Sequence, residues 1–108
     1  LMVTVPELQH YLGDCGDIGA YLCDIVAKYA QEEERAGGAY SKVIWDVAVL
    51  AYLVNPDWVY TTIHHSPILN DDCRFSFDNS RHFVREAVHV DRDGILTDLY
   101  RKLGSRKI

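Results

Sequence analysis

A chain of 108 residues, 48% apolar and 25% charged, has the composition of a soluble globular unit and room for at most one modest domain. Its formal net charge of -5 leaves no basic face to neutralise phosphates, which excludes a nucleic-acid-binding module. No apolar run is long enough to cross a bilayer and no signal-peptide pattern opens the chain, so no membrane partner is expected and a cytoplasmic location is the default.

Leu1-Met2-Val3-Thr4 reads like the end of a buried strand, and a chain that starts in mid-pattern reads as one cut from something longer. Thr4-Val5-Pro6-Glu7 has the make-up of a capping box, with Thr4 at the N-cap and Glu7 three residues on. The helix it starts is short, because Gly13 offers a left-handed stop. A second helix is expected from about Asp17. Ile18, Tyr21, Leu22, Ile25, Val26 and Tyr29 recur at helical spacing as one apolar stripe. Its end, Gln31 to Arg35, is polar all round and reads as a solvated helix face rather than a metal or partner patch. Gly37 to Ser41 reads as a flexible connection running into the next helix. Beside a site it has the make-up of a lid, on which Tyr40 would close over a ligand.

The next helix is the element on which the rest leans. Val47 to Val54 is an almost unbroken apolar run, opened by Asp46 and closed by Asn55-Pro56. Ala48, Leu50, Ala51 and the proline stop favour a helix over a strand, apolar all round and therefore buried on every side. Asp46 at its first turn has two readings. It is an N-cap, or it is a carboxylate at the floor of a site, holding a metal. Trp45 beside it offers a flat wall to a ring-shaped ligand.

After Pro56 the pattern changes to strands. Trp58 to Ile63 is β-branched and aromatic, and Pro67 ends it or puts it at an edge. Asn70-Asp71-Asp72 is a turn, and Arg74 to Asp78 alternates as a second strand. Asp78-Asn79-Ser80 turns again, and Phe83 to Val90 is a third strand. Asp91 caps a last helix with Ile95, Leu96, Leu99 and Leu103 inward and Gly104 as its stop. The basic pairs Arg101-Lys102 and Arg106-Lys107 read as its solvated end. The order is three helices, two or three short strands and a final helix, an α/β chain.

Little else carries chemistry. Cys15, Cys23 and Cys73 are odd in number and lack metal spacing, which suits reduced thiols, and Cys23 reads as a small core residue. His64 and His65 are neighbours on a strand and point to opposite faces, so they cannot chelate one ion together. His10, His82 and His89 show no ligand spacing.

Three stretches carry a resemblance. Lys42-Val43-Ile44-Trp45-Asp46-Val47-Ala48-Val49-Leu50-Ala51-Tyr52-Leu53-Val54-Asn55-Pro56 resembles the C-terminal part of the inosine/uridine-preferring nucleoside hydrolase family. Val3 to Leu8 and Val88 to Ile95 are similar to flanking segments of that family, in the same order. The resemblance makes residues 1–108 a partial nucleoside-hydrolase-like domain, the C-terminal third of a typical member.

It implies hydrolysis of the N-glycosidic bond of ribonucleosides, with a calcium ion positioning water and ribose. Asp46 matches a calcium-ligating aspartate. Many members carry a histidine just before it as acid for the leaving base. Trp45 stands there instead, as in the purine-preferring branch, where an indole stacks on the base. Trp45 and Tyr40 are thus the expected substrate-binding residues and Asp46 the expected metal ligand. The aspartate-rich motif that supplies the general base and most calcium ligands has no match, so no catalytic residue is expected within this chain. Taken alone, the chain would neither hydrolyse nucleosides nor bind calcium tightly. The rival reading is a non-catalytic remnant or small interaction module that self-associates. Assembly into a homo-oligomer is left open by the sequence.

Overall fold

The computed structural model describes residues 1–35, 37 and 41–104. They form a mixed α and β arrangement of four helices with small antiparallel two-stranded sheets.

The N-terminal part closes around Val3. Strand β1 (Met2–Thr4) pairs antiparallel with β2 (Ser41–Val43), Met2 opposite Val43 and Thr4 opposite Ser41. The β2 strand had read as a flexible lead-in to a helix, and only its pairing with β1 makes it a strand. Helix α1 (Val5–Leu12) starts as its sequence dictates, with the Thr4 hydroxyl accepting from the Glu7 N–H at 3.3 Å. The expected capping box is only half made. The Glu7 carboxylate turns instead to Arg92, 2.5 Å away, whose Nε donates to the Met2 carbonyl at 2.7 Å.

Gly13 is not the left-handed stop, since its φ is -54°. The chain makes one further turn, Cys15 N–H to the Leu12 carbonyl at 3.0 Å, and reverses at Gly16, whose φ is +74°. Helix α2 (Gly16–Arg35) then passes hard against the end of α1. A Cβ on Gly19 would lie 2.2 Å from the Leu12 carbonyl oxygen, so only glycine fits.

Helix α4 (Arg92–Gly104) completes this core, which consists of Val3, Leu8, Leu12, Leu96 and Tyr100. Asp91 caps it as expected, accepting from the Gly94 N–H at 3.1 Å. The stripe on α2 is split. Leu22 and Val26 pack on the core, with Cys23 beside them, while Ile18, Tyr21 and Ile25 remain exposed because α1 covers one edge of the stripe only.

The middle of the chain is more open. Helix α3 (Val47–Val54) is followed by a 3-10 turn at Pro56–Trp58 and by β3 (Val59–His65). Strand β3 pairs antiparallel with β6 (Phe83–Val90), with a bulge between Tyr60 and Thr61. Between them β4 (Ile68–Leu69) pairs with β5 (Phe75–Ser76). The strand expected over residues 74–78 is only these two residues long, because its partner is a two-residue piece that the alternation did not reveal.

A second, smaller cluster joins Ala51, Val59 and Ile95. Helix α3 is a helix, but the expectation of burial on every side is overturned: only Ala51 is buried, and Val49, Leu50, Leu53 and Val54 face solvent. Among the described residues, the neighbouring elements cover α3 along the edge that holds Ala51.

The dimensions agree with this. The Cα radius of gyration is 17.4 Å, against about 13 Å for a compact domain of this length. The accessible surface is 8063 Å², about a third more than the roughly 6,100 Å² of a closed monomer of this mass.

Candidate functional site

Trp45 and Asp46 form the turn that joins β2 to α3, held by bonds from the Ala48 and Val49 N–H groups to the Trp45 and Asp46 carbonyls at 3.3 Å each. Asp46 is the N-cap residue, yet it is not the cap that position suggested. Its backbone is already right-handed helical (φ -73°, ψ -20°) rather than extended, and its side chain accepts no capping bond. The carboxylate is exposed, at the helix end where unpaired N–H groups favour an anion. Trp45 is 73% exposed, an open flat surface. Val49, Leu50 and Leu53 follow Asp46 on the same helical face, so an apolar surface runs away from the pair along α3.

Tyr40 lies outside the described residues. Of the three expected site residues, the described part of the chain therefore presents Trp45 and Asp46, side by side. Among the described residues no group of three or more His, Cys, Asp or Glu side chains converges on a metal position. Calcium takes roughly six to eight oxygen ligands, and among the described residues Asp46 belongs to no group of three such side chains.

Beside α3, a cavity of about 270 Å³ is lined by Ala48, Val49, Tyr52, Val59, Thr61, Arg85 and Ala87. It is almost wholly apolar, with the Arg85 guanidinium turned to the Thr61 hydroxyl at 3.0 Å.

A larger cavity, about 670 Å³, lies elsewhere, between α1 and α4, and is lined by Glu7, Tyr11, Arg92, Tyr100 and Arg101 among others. The sequence reading missed it. Glu7 had been assigned to the capping box, and Tyr100, which continues the inner face of α4 from Leu96, was not picked out. The Tyr100 ring stacks on Tyr11 with centroids 4.6 Å apart. Burial first, and then the nearby Glu7 charge, push its phenol up to about 12. Its hydroxyl makes no hydrogen bond of good geometry and is sealed from the cavity. With Glu7 and Asp93 both paired to Arg92 in its lining, the arrangement ties α1 to α4 and offers a ligand no single charge.

The histidines and cysteines are dispersed. His64 meets Glu86, His65 stacks on Phe83, and His10 packs edge-on against Tyr11. All three cysteines are free thiols; Cys23 is part-buried against the core as expected, and Cys73 is exposed in a turn with φ +62°. Comparison of the chain with protein-family models, with curated proteins and with solved structures found no match.

Proposed function

We propose that this chain is the C-terminal part of a calcium-dependent nucleoside hydrolase that acts on purine ribonucleosides, with Asp46 as one metal ligand and Trp45 as a base-stacking wall. The observation that carries the reading is the free Asp46 carboxylate next to the open Trp45 ring at the start of α3. An N-cap aspartate normally spends its side chain on the helix; this one is unspent. The four exposed apolar side chains of α3 support a helix whose neighbours belong to a larger fold.

What these residues do in such an enzyme is limited and specific. Trp45 stacks on the base and favours its protonation by solvent as it leaves, in place of a side-chain acid. Asp46 supplies one hard oxygen. Calcium, when bound, positions the water and the ribose; its remaining ligands and the general base come from residues outside these 108.

The test starts with the intact mass of the native protein in its source cells, followed by assay of that whole protein on purine nucleosides with calcium and with a chelator. Asp46→Ala is expected to abolish calcium-dependent turnover while the circular dichroism spectrum is retained. Absence of hydrolysis by the wild-type protein, or turnover indifferent to both calcium and Asp46, overturns the reading.

The second reading is a non-catalytic module that associates through the exposed side of α3. The same four apolar side chains favour it, and a native mass of 12.3 kDa, that of these residues alone, would bring it forward.

A further inference from the structure

Strands β3 and β6 form a two-stranded ribbon in which Thr62 lies opposite Glu86 and His64 opposite Val84. His64 and Glu86 are therefore diagonal neighbours on one face. The His64 ring is held from both sides. Its Nδ1 lies 3.0 Å from the His65 carbonyl oxygen, and its Nε2 contacts the Glu86 carboxylate.

Both partners are acceptors with no hydrogen to give. A neutral imidazole carries one N–H, so it satisfies one of the two contacts and sets a lone pair against the other. Only the doubly protonated ring donates to both. Just beyond, the ribbon ends in the Ser66 N–H to His82 carbonyl bond at 2.8 Å and the contact of His65 Nδ1 with the Arg81 carbonyl at 2.6 Å. Residues 66–82 leave the ribbon there, carrying β4 and β5, and return. Pro67, Phe75 and Phe77 of this excursion line a cavity of about 410 Å³ whose other wall is His64, Val84, Arg85 and Glu86.

We propose that His64 and Glu86 form a proton-operated clasp between β3 and β6 at the mouth of the 66–82 excursion, closed when the ring carries both protons and released when it loses one, so that protonation sets how firmly the ribbon end from which the excursion leaves is held.

The charge environment supports the closed form. The His65 carbonyl first, and Glu86 second, raise the His64 pKa. Glu86 is the one carboxylate among the described residues lining the cavity, and Arg85 is the one other cation there. His65, on the same strand, faces Phe83 and is near Asp78. A histidine pKa raised on folding means the contact is complete below the ordinary value of about 6.5 and is lost as pH climbs through the raised one. The clasp is independent of the hydrolase reading.

The test is a histidine-ring and amide NMR titration of the 108-residue chain between about pH 5 and pH 9. His64 is expected to titrate above the ordinary histidine value, and amides of residues 66–82 to shift with the same midpoint. In Glu86→Gln, a substitution at an exposed strand position, the His64 midpoint falls and the linked amide shifts shrink. His64→Asn removes the linked shifts altogether. An ordinary midpoint indifferent to Glu86→Gln overturns the proposal, as does a raised midpoint to which no amide of the excursion responds.

Discussion

Val3, Leu8 and Leu12 are sealed where β1, α1 and α4 meet, whereas α3, the most apolar helix of the chain, leaves Val49, Leu50, Leu53 and Val54 in solvent. Composition alone would bury α3 more deeply, so the difference lies in the partners each region has. The β1–β2 pair closes one end of the first cluster, and Arg92 bolts Met2, Glu7 and Asp93 together across it. The second cluster has one face of the ribbon, Trp58 and Ile95 against one edge of α3, with nothing among the described residues on the other. Apolar content sets how much burial a segment demands; the neighbouring elements decide how much it receives.

The sharpest break of this comparison is a matched pair of leucines. Leu12, 1% exposed, should cost about 2–5 kcal/mol when truncated to alanine, read from urea unfolding. Leu53, 75% exposed, should cost within about 0.5 kcal/mol. Equal losses would mean that α3 is covered in solution and that the two regions are not different in kind. Next in size is the bolt. A double-mutant cycle on Glu7→Gln and Arg92→Gln should give a coupling of about 1 kcal/mol. That is kept low because the Arg92 side chain is more than a third exposed, and a coupling near zero would leave the core to apolar packing alone.

The two helix starts carry the comparison to single residues. Thr4→Ala removes a side-chain cap and should cost about 1 kcal/mol, whereas Asp46→Ala removes none and should stay within about 0.5 kcal/mol. A large stability loss at Asp46 would make it a structural residue after all and weaken its part in the hydrolase reading.

Where local rules and tertiary demand agree, the sequence was readable. Thr4 and Asp91 cap helices as expected, and Phe83–Val90 is the strand it was read as. The Trp45-Asp46 pair stood out from its position before an apolar run. What escaped was set by distant partners. Ser41–Val43 becomes a strand only because Met2–Thr4 lies beside it, and Ile68–Leu69 is too short to show a period. Glu7 abandoned its capping role for Arg92, a residue 85 positions away, which no local spacing announces.

Asp98 tests the boundary between the two regions, with the smallest expected effect. It sits on α4 with Leu99 and Lys102 along a cavity shared with Val47, Leu50, Ala51 and Val54 of α3. Hydrogen bonds from Lys102 first and Arg101 second lower its pKa. A carboxylate depressed on folding stabilises above its unfolded value of about 3.9, and that contribution disappears as pH falls through the depressed one. Asp98→Asn should therefore lower the urea midpoint slightly at neutral pH, with the gap from wild type closing as pH falls through the depressed carboxylate value. Because the carboxylate bonds within its own helix, the gap should be the same whether or not Leu50 is also truncated. A gap that changes with Leu50→Ala would show that α3 leans on α4 through this edge, and that the open region is held more firmly than its exposed side chains imply.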